Sequence, residues 1–239
     1  MRKLFSLFLL VLFSCGSSST PDYRIALDPE WYALGIPGRE AAIRAFSVEL
    51  VAEIAKKKKV KIALYDRSWD SLMLGLNNRD YDAVLTNLRP YLFYEKLYDF
   101  SAIYLETGPT FVIPTKMRGK TPSDFDGKEI AVLGSAEVLE KYPGIIVRTY
   151  DSVAKALSDT YDGTIDGTVT DLLTAEAYCR DLYQDKLKVA FPPFIQEGLR
   201  LIAIKDDSDK LIKIFNDGLK DLQRSGRYDE LLRKWNLAH

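Results

Sequence analysis

The stretch "KIALYDRSWDSLMLGLNNRDYDAVLTN" (residues 61–87) decides the fold, because it holds one strand–helix–strand unit. Apolar runs at 60–64 and 82–86 predict two strands, and the amphipathic pattern at 68–78 predicts the helix between them. The same order recurs in "IIVRTYDSVAKALSDTYDGTIDGTVTD" (residues 145–171), which also runs strand, Tyr-Asp, helix, turn and strand. This repetition predicts two α/β lobes of similar construction.

The sequence on either side of this stretch continues the alternation. An apolar run at 23–27 predicts a strand, and the amphipathic pattern at 40–57 predicts a helix. Together with residues 61–87 they give a βαβαβ order, which predicts a mainly parallel sheet covered by helices. The other predicted elements are strands at 128–133, 144–150, 166–170 and 198–204, and helices at 135–142, 152–160 and 206–235, the last broken at Ser225-Gly226.

The N-terminal segment predicts export. Arg2 and Lys3 precede an apolar run that is shorter than the roughly 20 residues a membrane-spanning helix needs, so residues 1–14 are typical of a signal peptide. The run ends in "LFSC", which resembles a bacterial lipobox, and Cys15 is therefore predicted to carry a lipid that anchors the protein to a membrane. An ordinary signal peptide with a chance cysteine is the alternative. Residues 15–22 are predicted to form a flexible linker.

The composition excludes several classes of function. The net charge of −1 gives no reason to expect a nucleic-acid partner. The sole histidine is His239, the last residue, so a histidine-based catalytic site and a histidine-ligated metal are nearly excluded. Cys179 is the only cysteine besides Cys15, and it is predicted to be a buried, small apolar side chain. The sequence therefore predicts neither a metal nor a cofactor.

Polar residues stand where two corresponding strands are predicted to end. Asn87 and Arg89 follow the strand at 82–86, and Asp171 follows the strand at 166–170. Ligands of open parallel sheets bind outside the carboxyl ends of the strands. If the two lobes face each other, one offers a cation and the other an anion, which suits a small zwitterion. We therefore expect Asn87, Arg89 and Asp171 to bind a ligand.

Four motifs carry a resemblance to a known family. The first is the tail "KDDSDKLIKIFNDGLKDLQRSGRYDELLRKW" (205–235), which has a long helix, a glycine turn and a Tyr-Asp-x-Leu-x-x-Lys-Trp pattern. The other three are "DFSAIY" (99–104), "DGKEIAVLGSAEV" (126–138) and "YDAVLTNL" (81–88). Through these motifs nearly all of residues 23–237 resembles the family 3 periplasmic solute-binding proteins, the amino-acid receptors of ABC importers.

The resemblance implies a type II periplasmic-binding-protein fold, in which two α/β lobes are joined by two hinge crossovers. Lobe one would comprise residues 23–106 and 198–239, and lobe two would comprise residues 107–197. The crossovers would lie near Glu106-Thr107-Gly108 and Gln196-Glu197-Gly198, where the glycines would absorb the dihedral changes of closure.

The resemblance also implies charged ligand contacts. The family's arginine that grips the ligand α-carboxylate falls on Tyr94, but Arg89 lies five residues earlier and is predicted to supply that grip, the alternative being a surface arginine. Ser135 would bind an anion at the start of a helix, and Asp171 would pair with the ligand α-amine. The alternative for both Ser135 and Asp171 is a plain helix N-cap.

The side-chain pocket would come from the first strand and the second helix. Asp28 ends the first strand, and Trp31 and Tyr32 follow it in the loop that the family uses for an acidic contact and an aromatic wall. Trp69 would form a second aromatic wall at the start of the following helix. Aromatic residues at such positions are about as often part of the core.

The predicted function is that of an extracytoplasmic, membrane-anchored receptor, not an enzyme, which captures a small amino acid and delivers it to an ABC transporter permease. Ser47 stands where the family has an acidic residue, which leaves the ligand open, but Asp28, Glu30 and Glu197 favour a basic one such as arginine. The alternatives are a cyclohexadienyl dehydratase on the same scaffold, with Glu30 or Glu197 as the acid, and a sensing module without transport.

Overall fold

The computed structural model describes residues 20–28 and 38–237, without the side chain of Trp69. Six helices lie within these residues: α1 (Glu40–Lys58), α2 (Trp69–Asn77), α3 (Val153–Asp162), α4 (Leu172–Asp181), α5 (Asp209–Arg224) and α6 (Arg227–Lys234). The predicted break before α6 is confirmed, because Gly226 has a φ of 76° that ends the first helix and begins the second. Within the described ranges, none of these helices has the length and apolar content needed to cross a bilayer.

Eleven strands form two sheets in the described part of the chain. The strands are β1 (Tyr23–Leu27), β2 (Ile62–Asp66), β3 (Ala83–Thr86), β4 (Tyr98–Phe100), β5 (Leu105–Glu106), β6 (Pro109–Pro114), β7 (Glu129–Leu133), β8 (Ile146–Tyr150), β9 (Gly167–Asp171), β10 (Leu187–Val189) and β11 (Gly198–Ile204). The first sheet has the order β2-β1-β3-β11-β4, with β5 also paired to β11, and the second has the order β8-β7-β9-β6-β10.

The two sheets share one plan. In each, the strand before the repeated unit lies in the middle of three parallel strands: β1 pairs with β2 and β3, and β7 pairs with β8 and β9. An antiparallel strand follows, β11 next to β3 and β6 next to β9. The parallel pairing predicted for the three strands of the βαβαβ unit is confirmed, but each complete sheet is mixed, because β6 and β11 enter through short crossovers and pair antiparallel.

One predicted helix is also wrong. Residues 135–142 do not form an α-helix, and only the short 3-10 segment Ala136–Leu139 is present. Pro143 and Gly144 follow at once, and a proline disfavours helical geometry in the residue before it. The segment after β7 is therefore a single turn followed by a loop.

The first sheet is covered on both faces. On one face α1 and α5 bury Phe46, Leu50 and Phe215 against the strands. The two helices approach closely, because a Cβ atom added at Gly218 of α5 would lie 2.6 Å from the Ile54 Cγ2 atom of α1. On the other face, α2 packs Leu72 and Leu76 with Tyr81, and with Ala26, Val84 and Ile202 of the strands.

The second sheet has an aromatic face and a helical face. Alternate residues of β6 separate the two, since Phe111 and Ile113 join a cluster that includes Phe125, whereas Val112 faces α3 and α4. Cys179 of α4 is buried on that helical face, as predicted, and burial raises its pKa to about 11. Both sheets direct the carboxyl ends of their parallel strands toward the same cavity.

Candidate functional site

A cavity of about 750 Å³ lies between the strand ends of the two sheets. It brings together four residues that the sequence predicted to bind a ligand, Asn87 and Arg89 from the first sheet and Ser135 and Asp171 from the second. The rest of its lining consists of Thr107, Pro109, Val132, Leu133, Glu137, Val138, Val169, Thr170, Ile195 and Glu197. The site is therefore shared between the two sheets.

Arg89 is engaged by a carboxylate of the protein itself. Its Nη2 atom lies 2.6 Å from Oε1 of Glu197, and its Nη1 atom donates a hydrogen bond to the Tyr91 hydroxyl at 3.0 Å. The Arg89 side chain is 46% exposed and that of Glu197 is 24% exposed. A ligand carboxylate would have to share this guanidinium with Glu197, so the predicted grip by Arg89 stays a prediction.

Asp171 is the last residue of β9 and caps the helix that follows. Its Oδ1 atom accepts a hydrogen bond from the Thr174 backbone N–H at 2.8 Å, which satisfies one of the free donors at the start of α4. Burial raises the pKa of the Asp171 carboxyl. A carboxylate that has lost water gains much from a cation beside it, so the N-cap role leaves room for the predicted contact with an ammonium group.

Ser135 is an exposed residue on the cavity wall. Its Oγ atom accepts a hydrogen bond from the Glu137 backbone N–H at 3.2 Å, which is again an N-cap interaction. Only the four-residue 3-10 segment Ala136–Leu139 follows it. The dipole of one short turn is weaker than that of the predicted helix. The predicted attraction of Ser135 for an anion is therefore weaker than the sequence suggested.

The predicted side-chain pocket is only partly described. Asp28 directly follows β1 and is nearly buried, with 3% of its surface exposed. Trp31 and Tyr32 lie outside the described residues, in the gap at 29–37. Trp69 begins α2, but its side chain is not among those described. The aromatic walls of the pocket stay predictions.

Both departures from the family pattern occupy core positions. Tyr94, at the place of the expected arginine, packs its ring 6.3 Å from that of Tyr98 and 5.3 Å from that of Phe93. It is partly buried and packs against the apolar cluster beneath α2. Ser47 is fully buried in α1, where its hydroxyl forms a hydrogen bond of 2.9 Å with the Tyr104 hydroxyl. Neither side chain is placed to bind a charged ligand group.

The two crossovers run side by side. The backbone N–H groups of Thr107 and Gly108 both donate to the Glu197 carbonyl oxygen, at 3.0 and 3.1 Å. A Cβ atom at Gly108 would collide with the Ile195 carbonyl oxygen, and one at Gly198 would collide with the Leu105 carbonyl oxygen. Neither glycine has a positive φ, so close backbone approach explains why glycine is needed here.

Sequence reasoning missed two charged residues with buried polar atoms, the buried Arg200 and the half-buried Glu176. Arg200 lies in β11, where "GLRLIAI" places one charge inside an apolar strand. Glu176 lies in α4, three residues after buried Leu173 and three before buried Cys179. That helical spacing puts Glu176 on the inner face of α4 and was the available signal. The cavity residues Thr107 and Pro109 were missed because β6 was not predicted.

A sequence model of the bacterial extracellular solute-binding proteins, family 3, matches residues 23–238. The chain belongs to this family. Among curated members, this family 3 protein is 25% identical to ABC transporter arginine-binding protein 1 of Escherichia coli K12 over 242 residues, which cover 98% of this chain and 99% of the relative. It is 26% identical to L-cystine-binding protein TcyJ of the same strain over 217 residues, which cover 88% of this chain and 81% of the relative.

Solved structures confirm the predicted fold class of the family 3 protein. It superimposes on the L-cystine solute receptor of Neisseria gonorrhoeae with a TM-score of 0.72 at 20% identity, covering 89% of this chain and 92% of the receptor. A substrate-binding domain of a Streptococcus pneumoniae transporter gives a TM-score of 0.66 at 22% identity, covering 90% of this chain and all of that domain. The fold is therefore the two-sheet α/β architecture of type II periplasmic binding proteins.

Proposed function

We propose that this family 3 protein is an extracytoplasmic receptor that captures a small amino acid between two lobes and delivers it to an ABC importer. The observation that carries the proposal is the cavity, because strand ends of both sheets contribute to it and bring charges of both signs. The names of the relatives, an arginine-binding and an L-cystine-binding protein, support an amino-acid ligand.

The proposed lobes follow the two sheets. Lobe one takes residues 23–106 with 198–239, and lobe two takes residues 107–197, so that the paired crossovers act as the hinge. A ligand shifts an opening equilibrium only through its tighter binding to the closed state. An amino acid whose ammonium contacts Asp171 while its carboxylate contacts lobe one would provide that difference, since only a closed form lets one ligand reach both.

The proposed ligand class is a basic amino acid, with L-arginine as the first candidate. Its support is the acidic residue Glu197 in the cavity lining and the arginine-binding relative. Glu197 already pairs with Arg89. The cationic side chain of a basic ligand must therefore either replace Arg89 at Glu197 or bind beyond this ion pair. This competition predicts that Arg89 changes its partner when the ligand binds.

A thermal-shift panel tests the proposal. The twenty amino acids, L-cystine and small polyamines are added to the purified protein, and the compounds that raise Tm are titrated by calorimetry. A ligand that binds only the folded state raises Tm, and the rise grows with the logarithm of its concentration over Kd. Binding of at least one amino acid is expected. If no compound raises Tm and the protein converts prephenate or arogenate to an aromatic product, the dehydratase alternative would replace the receptor proposal.

The N-terminal part of the proposal concerns location. Residues 1–14 act as a signal peptide, Cys15 carries the lipid, and residues 15–22 tether the receptor to the membrane. Cys15 and its neighbours lie outside the described residues. The support is the apolar run that stops at this cysteine, together with the extracellular location of the family.

A further inference from the structure

Arg200 is a buried guanidinium that lacks an anionic partner in the described part of the chain. Its side chain lies in β11, and the residue is 8% exposed. The Nε atom is buried and makes no hydrogen bond to the described residues. Burial lowers the pKa of Arg200, and no carboxylate among residues 20–28 and 38–237 opposes that shift. A buried charge of this kind is costly unless something pairs with it, so the residue requires an explanation.

The strand register places Arg200 at the cavity end of the first sheet. It lies opposite Thr86, the last residue of β3, and the next residue along the chain, Asn87, lines the cavity. Because side chains alternate along a strand, Arg200 shares a face with Ile202, which packs against α2. Glu197, three residues before Arg200, also lines the cavity.

Arg200 completes a polar row across three neighbouring strands. The pairing of Ala26 with Val84 in parallel β1 and β3 puts Asp28 beside Thr86, and Thr86 is beside Arg200. All three polar residues are buried, with exposures of 3%, 0% and 8%. The apolar core beneath α2 therefore ends in an ordered row of polar groups, which lies one residue from Asn87 of the cavity lining.

The two other positions for a carboxylate-binding arginine fit less well. Tyr94 carries no charge and packs its ring against the cluster beneath α2, and Arg89 is half-exposed and already bound to Glu197. A guanidinium held in a dry site binds a carboxylate more strongly than one in water. We infer that Arg200 is the group that binds the carboxylate of the amino-acid ligand. This inference rests on the proposed function as an amino-acid receptor.

The test compares Arg200→Met with Arg89→Met by calorimetry, using L-arginine, L-glutamine, L-cystine and the amide L-argininamide. Arg200→Met should weaken binding of the amino acid at least 100-fold, and Arg89→Met less than 10-fold, as expected for losing a dry or a half-exposed charge contact. The wild type should prefer L-arginine to L-argininamide, and Arg200→Met should lose that preference. Arg79→Met, at a 67% exposed arginine, is the matched control and should bind like the wild type.

The ligand-free proteins give a second, independent reading. An unpaired buried charge does not stabilise the fold, so Arg200→Met should have an apo Tm equal to or above that of the wild type. A fall in apo Tm, or a variant that does not fold, would show that Arg200 is structural and overturn the inference. Undiminished binding by Arg200→Met would overturn it too and leave the receptor proposal standing. Failure of the wild type to bind any compound of the full thermal-shift panel would instead remove the receptor proposal.

Discussion

Glu176 should make the stability of this receptor fall as the pH rises through neutrality. The residue lies on the inner face of α4, close to the point where Leu173 joins the core of the first sheet. Its Oε2 atom is buried and accepts no hydrogen bond from the described residues. Burial raises the pKa of Glu176 to about 7, although the positive charges of Arg180 and Arg39 act in the opposite direction.

The size of the effect follows from the difference between folded and unfolded chains. The ordinary pKa of 4.5 applies to the unfolded chain and about 7 to the folded one, so the folded state holds a proton that the unfolded state has released. At about 1.36 kcal/mol per pKa unit the limit is roughly 3 kcal/mol. Partial contact with water lowers this to about 1–2 kcal/mol. The stabilisation is complete below about pH 4.5 and disappears as the pH passes about 7.

Urea unfolding of the wild type and Glu176→Gln near pH 4.5 and near pH 8 measures this contribution. Glutamine is neutral at both values, and other titrating groups cancel in the difference between the two proteins. The wild type should lose about 1–2 kcal/mol relative to Glu176→Gln between the two conditions. Glu140→Gln, at an exposed position, is the control and should show no such change. Equal pH profiles for the wild type and Glu176→Gln would refute the argument.

Three further predictions concern the ligand, the packing and the anchor. Asp171→Asn keeps an N-cap acceptor for the Thr174 backbone N–H but removes the charge, so the stability of the fold should not change. Calorimetry with the best-binding amino acid should show a loss of about 2–4 kcal/mol of binding free energy, and an unchanged affinity would contradict the contact between Asp171 and the ligand ammonium. Gly218→Ala should destabilise by about 1–2 kcal/mol in urea, because the added Cβ meets Ile54, whereas Lys220→Ala on the exposed face of α5 should be neutral. Cys15→Ser should release the exported protein from the membrane pellet into the soluble fraction, and a variant that stays in the pellet would contradict lipid anchoring.

The repeated strand–helix–strand units could be predicted closely because their signals are local. The strand expected at 82–86 is β3 (Ala83–Thr86), and the helix expected at 152–160 is α3 (Val153–Asp162). In contrast, β6 (Pro109–Pro114) begins and ends with proline, which argues against a strand when only neighbours are considered. Pairing with β9 and β10 overrides that local signal.

The candidate site could be predicted in part for a similar reason. The positions of Asn87, Ser135 and Asp171 follow from strand ends, and the structure brings them to one cavity. The ion pair between Arg89 and Glu197 joins residues that are far apart in the sequence and depends on the paired crossovers. No local pattern contains that information, and the same holds for the burial of Arg200.

The position of β11 between β3 and β4 has a consequence for the order in which the two sheets can fold. Strands β6 to β10 are contiguous, so the second sheet can close as soon as β10 has emerged. The first sheet cannot, since β3 keeps an open edge until β11, which follows all strands of the second sheet in the chain, inserts beside it. An open edge invites pairing with other chains. Loss of β11 would thus leave β3 with an exposed edge and turn the first sheet into an aggregation site.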